Sequence, residues 1–205
     1  MRRVRKANDD KAELIIKTAQ KRFGIYGVEK TSMREIAGDL RISKGLLYYY
    51  FPDKESIYKA VIEKEQSEFM KKLKTEIADI NDPAESLRKY VSTRLLYFKT
   101  LLNIGRLRSE SFSDLRPRIA ESMKNFGEVE RNIIKEILDK GKKQKIFNID
   151  NIPKTASLFM DLLRGLRLTV LRDKKILVID EPEYSELSHK ALAFTELFIK
   201  SLTHN

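Results

Sequence analysis

The sequence contains no cysteine and no tryptophan, and its only histidines are His189 and His204. Without cysteine there is no disulfide, no thiolate nucleophile and no cysteine-ligated metal, and two histidines are too few for a histidine-rich metal site. No apolar run approaches the ~18 residues of a membrane-spanning helix. The N-terminus lacks the apolar region of a secretory signal. We therefore expect a cytoplasmic protein that uses neither a metal nor another cofactor.

Positive charge is plentiful and unevenly spread. The chain has 205 residues, with 41 Lys and Arg against 30 Asp and Glu, a net charge of +11. The first 60 residues carry 14 basic and 8 acidic side chains, a net charge of +6, and the other 145 carry a net charge of +5. Arg2, Arg3, Arg5 and Lys6 all precede the first acidic residue, Asp9. Such a run is either a solvated tail or a basic arm that contacts nucleic-acid phosphates. The surplus predicts an anionic partner, either nucleic acid or a membrane.

Hydrophobic periodicity predicts an all-α protein of about nine helices with essentially no sheet. Asn8, Asp9 or Asp10 would cap the first helix. Short helices follow within the first 52 residues, and long ones follow them. We predict a basic arm and a three-helix DNA-binding domain over residues 1–52, and an effector-binding and dimerisation domain over residues 53–205.

The C-terminal region has its own helix signals. Asp53 caps a long fourth helix to about residue 80, and Asp82-Pro83 begins a fifth that ends near residue 102. A break around a short helix is expected near residues 109–114. Further helices are expected over about 116–140, 154–172 and 183–202, with a brief extended stretch at 175–179.

Two short helices near the N-terminus form a predicted helix-turn-helix, whose second helix can enter a major groove. Ser32 and Glu35 make a capping box for the first of these helices, and Ser43 caps the second. Gly45 has no side chain and allows close approach to DNA. Lys44 lies where free helix N–H groups favour phosphate. The alternative is that the aromatic residues of this segment are simply core, which we expect for Tyr50 and Phe51; Leu47 is also expected in the core.

These residues carry a resemblance to a known family. The stretch from Ile15 to Glu55 resembles the DNA-binding region of the TetR family of bacterial and archaeal transcriptional regulators. The matching residues are Ala19, Phe23-Gly24, Gly27, Thr31-Ser32, Ile36-Ala37, Ile42-Ser43-Lys44-Gly45, Leu47-Tyr48, Tyr50-Phe51 and Lys54-Glu55. The resemblance implies a homodimer on a pseudo-palindromic double-stranded operator, with recognition helices roughly 34–36 Å apart. It implies DNA contacts around Thr31, Ser32, Arg34, Arg41, Lys44, Gly45, Leu46, Tyr48, Tyr49 and Lys54.

Two positions depart from the family pattern. Arg41 stands where the family usually has a turn glycine, and a left-handed backbone there would cost about 1 kcal/mol. Either the turn differs or the charge is kept for DNA. Leu46 stands where the family often has Thr or Ser, and it could contact a thymine methyl group instead.

The last two helices carry heptad-like apolar seams suited to helix packing. In the family, these helices build a four-helix dimer interface. The seams comprise Phe159, Leu163 and Leu166 on one helix and Tyr184, Leu187, Ala191, Phe194 and Phe198 on the other. The alternative is intramolecular core, and because a second stripe (Leu158, Leu162; Leu192, Ile199) is present, we expect both uses.

The middle helices would line an effector pocket. The candidates are aromatic, Leu and Met residues at helical spacing, which are also typical of core: Phe69, Tyr90, Tyr97, Phe98, Leu102, Phe112, Met123, Phe126 and Met160. An apolar effector is expected. Any buried member of the set Arg94, Arg106, Arg108 and Arg164 would favour an anionic group on it, and surface ion pairs are the alternative.

We therefore predict a ligand-responsive transcriptional repressor with no enzymatic activity. The alternative function is a basic binding module for an anionic membrane or an acidic protein. A helical-bundle enzyme is disfavoured, because Glu186 and His189 form a Glu-x-x-His pair only once, whereas di-iron bundles need it twice.

Overall fold

The computed structural model describes the backbone of residues 2–105 and 107–203, and the side chains of residues 9–101, 113–175 and 178–203. Eight helices and two very short strands make up this part of the chain. The all-α prediction is confirmed. In order, the elements are α1 (Arg2–Tyr26), α2 (Met33–Asp39), α3 (Lys44–Tyr50), α4 (Lys54–Ile77), α5 (Pro83–Gly105), β1 (Leu107–Arg108), α6 (Ser109–Lys143), α7 (Ile152–Leu171), β2 (Ile176–Leu177) and α8 (Glu181–Thr203).

The first helix begins earlier than predicted. It starts at Arg2, so the proposed caps at residues 8–10 lie inside it. Helix formation by the basic residues themselves explains the difference, because Lys and Arg are good helix formers. The side chains of the basic arm lie outside the described residues.

The predicted caps of the later helices are confirmed. Asp53 Oδ1 accepts the backbone N–H of Ser56 at 2.7 Å at the start of α4. Asp82 Oδ1 accepts the N–H of Ala84 at 3.0 Å at the start of α5. Local hydrogen bonds of this kind occupy the N–H groups that have no partner within the helix.

The prediction of nine helices is wrong by one over the described residues. No break separates residues 109–114 from the segment after 116, because α6 runs unbroken through Pro117. The proline lacks an N–H and costs about 3 kcal/mol inside a helix. Burial of Leu115 and Ile119 on either side of it offsets that cost.

The extended stretch predicted at 175–179 is present as β2. It pairs antiparallel with β1, with Leu107 opposite Leu177 and Arg108 opposite Ile176. A two-residue strand carries no usable sequence period, so β1 could not be predicted.

The chain divides into two compact units. The first contains the chain up to Ser67 together with Thr100–Ser122 and Lys175–Val178. The second contains Glu68–Lys99, Met123–Lys174 and the chain from Ile179 onward. Helix α4 therefore contributes to both units. The proposed division at residue 52 into independent domains stays a prediction.

Each unit has its own apolar core. In the first, α1, α2 and α3 meet the start of α4, and the rings of Phe23 and Tyr58 lie edge to face at 6.0 Å between centroids. Its buried residues include Ile15, Ala19, Phe23, Ile36, Leu47 and Ile57. In the second unit, antiparallel packing of α7 on α8 buries Phe159 against Phe198 at 4.6 Å between ring centroids.

None of the helices in the described ranges combines the length and the apolar character that crossing a bilayer requires.

Candidate nucleic-acid interface

Local hydrogen bonds fix the start of α2. The N–H of Glu35 donates to Ser32 Oγ at 3.3 Å, and the N–H of Ser32 donates to Glu35 Oε2 at 2.8 Å. This is the predicted capping box. The hydroxyl of Ser32, then its backbone N–H and the nearby Arg22, lower the pKa of Glu35.

An ion-pair cluster ties α1 to α2. Arg22 lies 2.9 Å from a carboxylate oxygen of Glu35 and 2.8 Å from one of Asp39. Its guanidinium also lies 5.0 Å from the ring centroid of Tyr26. The sequence did not predict these ion pairs of Arg22. Its partners lie on the next helix, and the turn between the two helices follows no periodic pattern that would place them together.

The turn after α2 has the left-handed geometry that favours glycine. Arg41 has φ 53°. Its N–H donates to the carbonyl of Gly38, and the N–H of Ile42 donates to that of Ala37, both at 3.0 Å. These two bonds are those of a Schellman motif. The turn geometry is therefore kept despite the missing glycine, and of the two alternatives, the one with an altered turn is wrong.

Helix α3 is fixed by its cap and by one buried side chain. Ser43 Oγ accepts the N–H of Leu46 at 3.2 Å. Leu47 is fully buried, as predicted, whereas Tyr50 and Phe51 are half-buried. The rest of the helix faces outward, with exposed fractions of 38% for Leu46, 49% for Tyr48 and 72% for Tyr49. The helix therefore presents apolar and hydroxyl-bearing groups together.

Gly45 is exposed and has no steric reason to be glycine within the chain. A Cβ built there meets nothing within 4 Å, and its backbone is ordinary helix. Glycine inside a helix costs roughly 0.5–1 kcal/mol relative to alanine. Since nothing within the protein requires a residue without a side chain here, the glycine fits close approach by an external partner.

The other predicted DNA-contact residues divide into two groups. Ser32, Arg34, Arg41 and Lys44 are exposed around the helix-turn-helix. Thr31 is not available in this way, because it is 2% exposed and its hydroxyl donates to the carbonyl of Gly27 at 2.8 Å. Lys54 is half-buried, and its Nζ donates to the carbonyl of Val28 at 2.9 Å. Both residues hold the loop after α1 in place.

The predicted dimer seams lie largely inside the protomer. Phe159, Leu163, Leu187, Ala191 and Phe198 are buried, and Leu166, Tyr184 and Phe194 are half-buried. They follow the intramolecular alternative. Their periodicity equals that of the second stripe, so the sequence could not choose between the two. Among the leucines of that second stripe, Leu158, Leu162 and Leu192 are exposed, whereas Ile199 is buried.

Five of the candidate pocket residues form two clusters in the second unit. Phe69, Tyr97 and Phe126 pack their rings together, with Phe69 and Tyr97 stacked at 4.5 Å. Tyr90 and Met160 are fully buried beside Glu130. Phe98 is buried and Met123 is exposed. The side chains of Leu102 and Phe112 lie outside the described residues, as do those of Arg106 and Arg108.

The enzyme-like pair on α8 lies at the surface. Glu186 forms an ion pair with Lys190 one turn later, which lowers the pKa of Glu186. His189 is exposed. This neighbourhood is that of an ordinary solvated helix face.

Comparison with known protein sequences identifies the family of the N-terminal part of the chain. The family model of bacterial regulatory proteins of the tetR family matches residues 15–61. An uncharacterized HTH-type transcriptional regulator of Bacillus subtilis, YuxN, is 50% identical over 48 residues. That match covers 23% of this chain and only 16% of the relative, so the chain spans a small part of the relative's length.

Two solved structures match over nearly the full length. A transcriptional regulator from Cytophaga hutchinsonii is 38% identical, with a TM-score of 0.86, over 95% of this chain and 99% of that one. A protein from Saccharomonospora viridis, solved in complex with choline, is 21% identical, with a TM-score of 0.70, over 92% of this chain and 96% of that one. The first likeness extends to sequence, and the second is one of fold.

Proposed function

Because this chain belongs to the TetR family of transcriptional regulators, we propose that it is a homodimeric repressor, released from a pseudo-palindromic operator by a small, largely apolar effector. That it is a DNA-binding regulator follows from the family. The observation that carries the DNA contact is the outward face of α3, where bare Gly45 lies between exposed Lys44 and Leu46.

On this proposal α3 is the recognition helix. Lys44 and the hydroxyls of Tyr48 and Tyr49 contact phosphates, and Leu46 supplies an apolar contact to a thymine methyl group. Ser32, Arg34 and Arg41 add contacts from α2 and the turn. Thr31 and Lys54 are assigned to positioning, because both are held by backbone carbonyls.

The dimer forms through exposed leucines of the last two helices. Leu158 and Leu162, four residues apart on α7, are 54% and 42% exposed, and Leu192 and Leu197 on α8 are also exposed. Large apolar side chains in a continuous stripe usually mark an interface. The half-buried seam residue Leu166 extends this stripe, whereas the buried seam residues support it from below.

Effector binding would act through α4. This helix begins directly after the helix-turn-helix and continues into the second compact unit. A shift of α4 would change the separation of the two recognition helices, so operator fit would be lost. Effector and operator affinities must then be coupled reciprocally. The Saccharomonospora viridis protein, which has the same fold, was solved with the small molecule choline bound.

The test begins with selection of an operator from a pool of randomised duplexes, followed by anisotropy titrations of the selected duplex. Lys44→Ala and Tyr49→Ala should each weaken binding about tenfold, with the unfolding midpoint unchanged because both side chains are exposed. Lys124→Ala, an exposed lysine on α6, is the matched control.

Unchanged binding in both variants would remove α3 from the interface. Failure of the wild type to enrich any sequence would instead favour the basic module for a membrane or an acidic protein. A selected operator whose affinity no small molecule lowers would refute the effector-released repressor but leave the DNA contacts intact.

A further inference from the structure

A small cavity lies among α5, α7 and α8 in the second unit. It is lined mostly by apolar side chains, and two arginines, Arg94 and Arg167, also line it. The apolar members are Val91, Leu95, Phe98, Leu163, Leu187 and Ala191. Two guanidinium groups in an apolar setting require compensation, because burying an unpaired charge is costly.

Arg94 is compensated. Its Nε lies 2.7 Å from Oε1 of Glu130, and both side chains are buried. The hydroxyl of Tyr90 donates to the same Glu130 oxygen at 2.8 Å. One carboxylate therefore serves one arginine and one tyrosine.

Arg167, a half-buried side chain, has no ion pair of this kind among the side chains that the structure describes. Its Nε is buried and, among the side chains that the structure describes, no acceptor lies within hydrogen-bond distance of it. The guanidinium lies 4.5 Å from the ring centroid of Phe98, a contact that supplies no negative charge. Its neighbour Arg164 is 3.7 Å from Asp161, so that carboxylate already has a cation.

The charge on Arg167 is kept at a cost. Burial, and then the nearby charge of Arg94, lower the pKa of Arg167 to about 10. It stays protonated at neutral pH. The group of Arg94, Glu130 and Arg167 thus carries two positive charges and one negative charge.

We infer that the effector of this regulator is an amphipathic organic acid whose carboxylate pairs with Arg167. The inference rests on the proposed function and names the class of effector at that site. A guanidinium and a carboxylate form two parallel hydrogen bonds, and Nε–H is one of the donors in that geometry. Phe98, Leu95 and Leu163 would hold the apolar part of the acid.

Binding requires the surrounding side chains to move apart. The cavity measures about 10 Å³, which is close to the minimum for a single water. An acid therefore has to separate α7 and α8 from α5, or turn Arg167 outward. Such a displacement is what an effector needs in order to change the protein.

The experiment measures binding to the full-length protein without DNA. Octanoate and benzoate are titrated calorimetrically at millimolar concentration, with octanamide and benzamide as uncharged controls of the same shape. Each acid should bind at least about tenfold more tightly than its amide, because hydrogen bonds to a charged group are stronger than neutral ones. Equal affinity, or binding by neither acid, would overturn the inference.

Arg167→Gln isolates the residue. The variant should lose the preference for acids, so that octanoate binds no better than octanamide, and its melting temperature should stay level or rise because a poorly compensated charge is removed. Arg172→Gln changes the exposed C-cap residue of α7, and this variant should behave as the wild type. Retention of the acid preference in Arg167→Gln would overturn the assignment.

Direct contact is separated from an indirect effect by nitrogen-15 NMR. The Nε–H signal of Arg167, assigned by its loss in Arg167→Gln, should shift with benzoate and not with benzamide. Operator affinity is measured separately. If acids bind but do not release the operator, the carboxylate site stands and its role as the effector site is refuted. If only neutral molecules release the operator, the acid inference is refuted and the proposal of an effector-released repressor stands.

Discussion

Arg41 combines a backbone cost with a charge at the protein surface. Its φ of 53° lies in the left-handed region, and its side chain is exposed. An L-residue there costs about 1–2 kcal/mol relative to the right-handed form. The hydrogen bonds of the turn do not depend on the side chain, so the chain retains an arginine where glycine would be more stable.

Arg41→Gly should therefore stabilise the protein and weaken its DNA binding. We expect a gain of roughly 0.5–1 kcal/mol in the free energy of unfolding, after allowance for the greater freedom of glycine in the unfolded chain. The slope of log affinity against log salt concentration should become shallower by about 0.9, which corresponds to the loss of one phosphate contact. Urea unfolding and salt titrations measure the two effects. Arg41→Lys should change neither, and a stabilised glycine variant with an unchanged salt slope would remove Arg41 from the interface.

At Gly45 on α3, as at Arg41, a substitution that stabilises the fold should weaken DNA binding. Because a Cβ there meets nothing within 4 Å, Gly45→Ala should raise the free energy of unfolding by about 0.5–1 kcal/mol. Operator affinity should fall, since the added methyl group projects from the exposed helix. Gly24→Ala on α1 also meets nothing and serves as the control, with the gain in stability but no loss of affinity. Full operator affinity in Gly45→Ala would contradict close approach at this residue.

Helix α2 has only seven residues, and the hydrogen bonds of the capping box hold its first turn in place. Hydrogen bonds from Ser32, and then the charge of Arg22, lower the pKa of Glu35. A carboxylate with a lowered folded-state pKa stabilises the fold above its ordinary pKa. That contribution is lost as the pH falls through the ordinary value toward the lower one.

Glu35→Gln should consequently reduce the acid sensitivity of the fold. Glutamine retains a capping-box residue but does not titrate. The difference in unfolding free energy between wild type and variant should be largest near neutral pH and shrink below about pH 5. Urea unfolding across that range measures it. In a Ser32→Ala background the pH-dependent difference should diminish, and a difference independent of pH would contradict the proposed origin of the shift.

At the scale of the whole molecule, the exposed leucines of α7 should decide assembly. Leu158→Lys combined with Leu162→Lys places two charges in the stripe and should convert the proposed dimer to a monomer, with operator affinity greatly reduced. Sedimentation across a range of protein concentrations measures the mass. Val129→Lys changes a similarly exposed residue of α6 and should leave the mass unchanged. A dimeric double variant would place the interface elsewhere.

Sequence alone predicted those parts of this molecule that depend on neighbouring residues. The caps at Ser32, Ser43 and Asp53 and the buried Leu47 follow from local hydrogen bonds and helical period. Continuation of α6 through Pro117 could not be predicted, because it depends on burial against distant residues. The buried, unpaired Nε of half-buried Arg167 could not be predicted either, since the fold decides whether such an atom has a partner.

The single buried residue of α3 has a dynamic consequence. Leu47 is the one buried side chain of this seven-residue helix, and Tyr50 is half-buried. Segments with few buried contacts open at a small fraction of the global unfolding free energy. The amide hydrogens of α3 should therefore exchange with solvent faster than those of α1 or α4. The proposed recognition helix would then be among the least protected segments, and operator binding should slow the exchange of its amide hydrogens.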